Sequence, residues 1–154
     1  MTVRAKTRGM PDVAEPCERH LLCPSAQPQT PGAVAIGVVD HSQDSPEVGY
    51  LESPVPVTED LLRLTGTVRP TEIFRFAAPC QTSACSHWSG RDCTLVGRIV
   101  KLIPPASLKL PTCRVRPECR WYAQSGRSAC VRCPSVVTQN EDPDDAMREA
   151  ATPG

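Results

Sequence analysis

The chain has little of what usually holds a domain of its length together. Only 4% of its 154 residues are aromatic, and Leu, Ile, Val and Phe together make up 31 of them. That share lies at the edge of the range where chains fail to bury enough apolar surface to fold, although the usual companion, a large net charge, is missing. Lys+Arg and Asp+Glu both number 17, for a formal net charge of zero. No apolar run approaches the roughly 18–20 residues that a membrane-spanning helix needs. The basic start, Met1 to Pro11, is not followed by an apolar stretch, so it does not read as a secretory signal. The expectation is a cytoplasmic protein whose thiols stay reduced. Phosphate-cradling glycine loops, H-E-x-x-H and G-x-S-x-G are all missing, so nothing points to an enzyme.

Two residue types are present in excess, with 17 prolines and nine cysteines. An odd number of cysteines cannot pair completely within one chain. With no export expected, metal ligation is a better reading than a disulfide scaffold. A thin hydrocarbon core also calls for some other means of holding the fold, and metal can supply it.

The expected fold class is α+β, with a small β-hairpin and helix lobe followed by a Cys-rich, metal-stapled lobe of helices and loops. Residues 1–15 read as a disordered basic arm. Residues 16–76 form the first lobe, in which 17–23 could be a helical turn or two between Pro16 and Pro24. Ala33–Val39 and Glu47–Leu51 are expected to pair as a hairpin, with Pro54 and Pro56 in an extended connection. Thr58 is placed to cap a helix over Leu61, Leu62 and Leu64 that closes at Gly66. Glu72–Phe76 reads as a third strand carrying both phenylalanines.

Residues 77–137 form the second lobe. Thr94–Ile103 has helical periodicity and stops at Pro104-Pro105. Pro117–Ser125 can be a second helix, followed by Gly126. Residues 138–154 look like a disordered acidic tail. Eight basic residues lie between Arg98 and Arg132 against one acid, Glu118, whereas seven acids lie between Asp40 and Glu72. The zero net charge thus sums a basic half and an acidic one.

The candidate metal ligands are Cys80, Cys85 and Cys93, then Cys113, Cys119, Cys130 and Cys133. They divide into two sets of the size that a tetrahedral zinc site or a [4Fe–4S] cluster takes. Cys130-Val-Arg-Cys133 is the sharpest local feature, because a two-residue spacer lets both sulfurs reach one metal. His87 could complete the first set, but capping a turn or packing on Trp88 is the plainer role. Cys17 and Cys23 are further candidates, either as ligands or as buried thiols. The spacings are irregular for a zinc module, so an iron–sulfur cluster is preferred, with zinc as the alternative.

The function expected is that of a metal-binding accessory protein serving electron transfer or redox- or metal-responsive regulation, with a protein partner. The alternative is a zinc-stapled structural or nucleic-acid-binding module. Phosphate binding is opposed by the acidic half and tail, and a thioredoxin-type role for Cys130 and Cys133 lacks the expected strand before a helix.

Overall fold

The computed structural model describes residues 21–138, 140 and 142–153. The proposed basic arm, Cys17 and His20 lie outside them. The fold is α+β, and among the described residues it is built on one four-stranded antiparallel sheet with strand order β1-β4-β2-β3. The strands are β1 (Leu22–Ala26), β2 (Val34–Asp40), β3 (Glu47–Pro56) and β4 (Phe74–Pro79).

The expected hairpin is present as β2 and β3, paired from Val34↔Pro56 to Asp40↔Glu47. Pro54 and Pro56, expected in a connection, belong to β3. An edge strand tolerates proline because it need not donate on its open side. Residues before Pro24 were expected to be helical, yet Leu22–Ala26 is the other edge strand, and the register with β4 shifts between Cys23 and Ala26 around that proline. Long-range pairing overrode a weak local helix signal.

The expected third strand begins later than its sequence suggested. Pro70 opens a one-turn helix, α2 (Pro70–Ile73), and β4 starts at Phe74. The first five residues of β4 are all buried, because successive side chains point to opposite faces and both faces are covered. Phe74 and Phe76 pack with Ala35, Leu61 and Ile73 on one face. Leu61 comes from α1 (Glu59–Arg63), whose first turn is capped where expected, with Thr58 Oγ1 accepting from Leu61 N at 3.1 Å. Ala77 points the other way and packs with Ile36 and Val115.

The cysteine-rich half covers this second face with short elements: α3 (Thr94–Leu102), α4 (Arg120–Ser125), α5 (Arg127–Cys130) and three-residue 3-10 turns. α3 matches its periodicity and buries Val96 and Ile99. The expected helix over 117–125 is interrupted at Cys119, whose extended backbone bridges Leu22 of β1. Gly126 ends α4 with a positive φ of 60°. One cluster joins Val96, Ile99 and Ile103 to Cys119, Trp121, Ala129, Cys133 and Val136.

The acidic tail departs most from expectation. Residues 145–151 form a helix, α6 (Asp145–Ala151), with Asp144 Oδ1 accepting from Met147 N at 2.8 Å at its start. Ala150 is buried against the α3 cluster, and its carbonyl accepts from Arg98 Nε at 2.8 Å. Asp144 caps the helix and Asp142, Asp145 and Glu149 face solvent, while Ala146, Met147 and Ala150 supply a narrow apolar stripe.

Candidate metal centres

The eight described cysteines are all free thiols, and they fall into two sets. Cys23, Cys80, Cys85 and Cys93 line one cavity of about 650 Å³. Cys113, Cys119, Cys130 and Cys133 line a second of about 20 Å³. The second set is the one its sequence spacing suggested. The first gains Cys23 from a distant strand: β1 pairs Cys23 with Ala78, two residues before Cys80, and Cys80 N donates to Leu21 O at 2.8 Å. As the side chains stand, no three His, Cys, Asp or Glu residues among those described are grouped so that they could hold one metal ion.

The thiols are held by backbone geometry. Cys93 is the N-cap of α3, and its backbone is clamped by one amide: Cys93 N donates to Gln124 Oε1 at 2.8 Å, and Gln124 Nε2 donates to Cys93 O at 3.1 Å. Cys119 is the N-cap of α4. Burial pushes the Cys23 and Cys119 thiols up to about 12, and it also raises Cys93, Cys113 and Cys130. A second influence works against burial. The amide of Ser25 faces Cys23, that of Val115 faces Cys113, those of Leu95 and Val96 face Cys93, and those of Trp121 and Tyr122 face Cys119. His87 N lies 3.4 Å from Cys85 Sγ. Five of the eight sulfurs thus have an N–H two or three residues onward aimed at them, the kind of donor that a metal-bound sulfur accepts from.

His87 stands beside the first set but is engaged elsewhere. Arg98 Nη2 lies 2.6 Å from its Nδ1. A guanidinium can only donate, so Nδ1 accepts and Nε2 carries the proton. Neither nitrogen offers a lone pair to a metal in this arrangement. Burial, with Arg98 second, lowers the His87 pKa, which keeps the ring neutral. The His87 backbone carbonyl accepts from Thr94 N and Thr94 Oγ1, both at 2.7 Å, and closes the turn that leads into α3.

Arg75 was missed by sequence reasoning. It sits in β4 between the two phenylalanines and is fully buried. Its guanidinium crosses from the sheet into the cysteine-rich half. Nε donates to Pro24 O. Nη1 donates to Cys133 O at 3.0 Å and to Val136 O at 2.7 Å, and Nη2 donates to Cys133 Sγ at 3.0 Å. The Trp121 ring lies 5.5 Å from its central carbon. Among the described residues it has no carboxylate partner. Burial alone would lower the Arg75 pKa, but the fields of Cys133 and Tyr50 outweigh it and move the value up.

Three more donors surround the second set. Tyr50 OH, Arg116 Nε and Trp121 Nε1 are buried without a hydrogen-bond partner, and all three residues line the second cavity. Arg116 also faces the Cys130 thiol and draws its pKa down against the larger effect of burial. Trp121 lines both cavities, and Arg120, buried beside it, lies over the Trp88 ring at 4.9 Å. The signal for Arg75 in the sequence was an arginine alternating with phenylalanines in a strand, where a charge is out of place on a buried face.

No family model, curated protein or solved structure matches the chain. None of its helices among the described residues is long and apolar enough to cross a membrane.

Proposed function

We propose that the chain is a cytosolic metal-binding accessory protein that carries metal on two four-cysteine sites, Cys23/Cys80/Cys85/Cys93 and Cys113/Cys119/Cys130/Cys133. It serves electron transfer or redox- or metal-responsive regulation with a protein partner. The observation that carries this reading is Arg75, a guanidinium fully buried with carbonyls and one cysteine sulfur as acceptors. Arginine stays protonated in proteins, and a buried cation without an anion is strongly unfavourable. Thiolates of the second set are the nearest available anions, and metal is what keeps buried thiols ionised at neutral pH. The orphaned donors of Tyr50, Arg116 and Trp121 point the same way, since N–H and O–H groups around sulfur satisfy the charge of a metal-bound thiolate.

An iron–sulfur cluster is the preferred group for the first set. A cluster places its cysteine sulfurs around the outside of a cage, farther apart than ligands of a single ion, and the first cavity is roomy. Zinc is the specific alternative for the second set, whose void has room for about one atom.

Anaerobic purification of the full chain followed by iron, zinc and acid-labile sulfide analysis tests this reading. Stoichiometric iron with sulfide supports the cluster, and zinc alone supports the structural module. Metal-free protein that is folded, with its cysteines in disulfides, would overturn both.

A further inference from the structure

The outer surfaces of the two halves carry opposite surplus charge, and each presents apolar side chains to solvent. In the cysteine-rich half, the loop over residues 104–112 holds Leu108 out at 85% exposure, the highest of any large apolar residue among those described. The loop is tied down along its length. Ala106 N donates to Val131 O at 2.7 Å, Lys109 N to Ser107 Oγ at 3.0 Å, Arg127 Nη2 to Leu108 O and Arg116 Nη2 to Pro111 O. Arg116 also lies over the ring of Tyr122 at 6.0 Å, and Tyr122 is itself exposed. Leu108 and Tyr122 thus stand among Lys109, Arg116 and Arg127, none of which pairs with a carboxylate among the described residues. A leucine held in solvent adds little to the stability of the fold, but a loop already ordered loses less entropy when it docks.

The sheet half has the reverse charge. Seven acids between Asp40 and Glu72 face two arginines, and both arginines are engaged, Arg63 with Glu59 and Asp60 and Arg69 with Glu72. Asp40, Asp44, Glu47 and Glu52 are exposed and pair with no cation among the described residues. His41 Nε2 lies 2.7 Å from Glu72 O, which fixes the acidic turn between β2 and β3 beside α2. The exposed apolar residues here include Leu64, at 73%, with Val38 and Val68.

We propose that these surfaces are the two sides of one interface between copies of this chain, in which the basic Leu108 face of one copy docks on the acidic Leu64 face of another. Opposite surplus charge steers the faces together. The zero net charge leaves no repulsion between whole molecules to oppose it. Apolar side chains ringed by charge on both faces match the core and rim of a protein interface. The interface goes beyond the metal-binding reading and does not depend on it, because its residues lie on the outer surface.

Sedimentation velocity of the full-length chain tests this, under reducing conditions so that no disulfide joins the copies. At about 0.01 M ionic strength, where charges act over about 30 Å, the sedimentation coefficient should rise with protein concentration. At about 1 M, where they act over about 3 Å, it should fall towards the monomer value. Leu108→Asp and Leu64→Gln each change one exposed side chain. Either alone should weaken association at least about tenfold, with the circular dichroism of the fold unchanged. An equal mixture of the two variants should associate more strongly than either by itself, because one keeps an intact Leu64 face and the other an intact Leu108 face. A monomer at every concentration would overturn the proposal and leave the Leu108 face to a partner of another kind. Association that salt does not weaken, or a mixture no stronger than its components, would overturn it as well.

Discussion

The sheet and the cysteine-rich half solve the same shortage of apolar residues differently. In the sheet, backbone ladders satisfy polar groups over long stretches, and the core is built from small residues: Ala35, Ala77 and Ala78 are all fully buried. Close strand packing makes alanine and glycine enough. The other half has helices of four to nine residues, too short to persist alone because nucleation is costly. It collects one cluster around Trp121 and surrounds it with sulfur and guanidinium groups. A sheet can stand on its hydrogen bonds and a modest core. A set of short helices needs an additional constraint, which the proposed metal would supply.

That contrast can be broken most severely by removing metal. Chelation of the second site should cost on the order of 10 kcal/mol. Amide hydrogen exchange should then show protection lost across α3, α4 and α5 while the β2–β4 pairing keeps most of its own. Uniform loss would mean that the halves are one cooperative unit, and unchanged protection would remove metal from the account of stability. The double variant Cys130→Ser/Cys133→Ser should reproduce the effect.

Next in size is the tie between the halves. Arg75→Met keeps an unbranched stem but leaves three carbonyls without their donor and the second cysteine set without its cation. A loss of about 3–5 kcal/mol is expected in denaturant unfolding. A change under about 1 kcal/mol would show that the halves are joined by apolar packing and not by the guanidinium.

A smaller effect belongs to the sheet alone. A Cβ at Gly37 would stand 2.6 Å from Val48 Cγ1 and 2.9 Å from Gly49 O. Gly37→Ala should therefore destabilise by about 1–3 kcal/mol through overpacking, with the metal content of the purified protein unchanged. The smallest is Asp144→Ala, which removes the cap of α6 and should cost about 1 kcal/mol. Faster amide exchange near Ala150 would report it.

Much of the local structure was legible. α3 followed from apolar residues three and four apart, the β2–β3 hairpin from two short apolar runs around a polar turn, and the cap of α1 from Thr58 ahead of two acids. Cys113, Cys119, Cys130 and Cys133 could be grouped because they lie close together in the chain. The rest depended on partners far away in sequence. The tail read as disordered because its acids outnumber its apolar residues, yet a stripe of three small or flexible side chains suffices once α3 offers a surface. Leu22 and Cys23 read as the end of a short helix because Pro16 and Pro24 looked like its boundaries, and Ser25 and Ala26 as loop, whereas pairing with β4 makes all of them strand.

By itself, then, the amino-acid order determined periodicity and caps, which arise from neighbours within a few residues, along with the α+β class and the grouping of Cys113, Cys119, Cys130 and Cys133, which lie close in the chain and line one cavity. Tertiary structure decided that Cys23 joins Cys80, Cys85 and Cys93, that His87 is occupied by Arg98, and that Arg75 lies buried against Cys133. Each of these depends on strand register or on the packing of one half against the other. Such contacts are set by the total burial and hydrogen bonding of the folded chain, which no local pattern encodes.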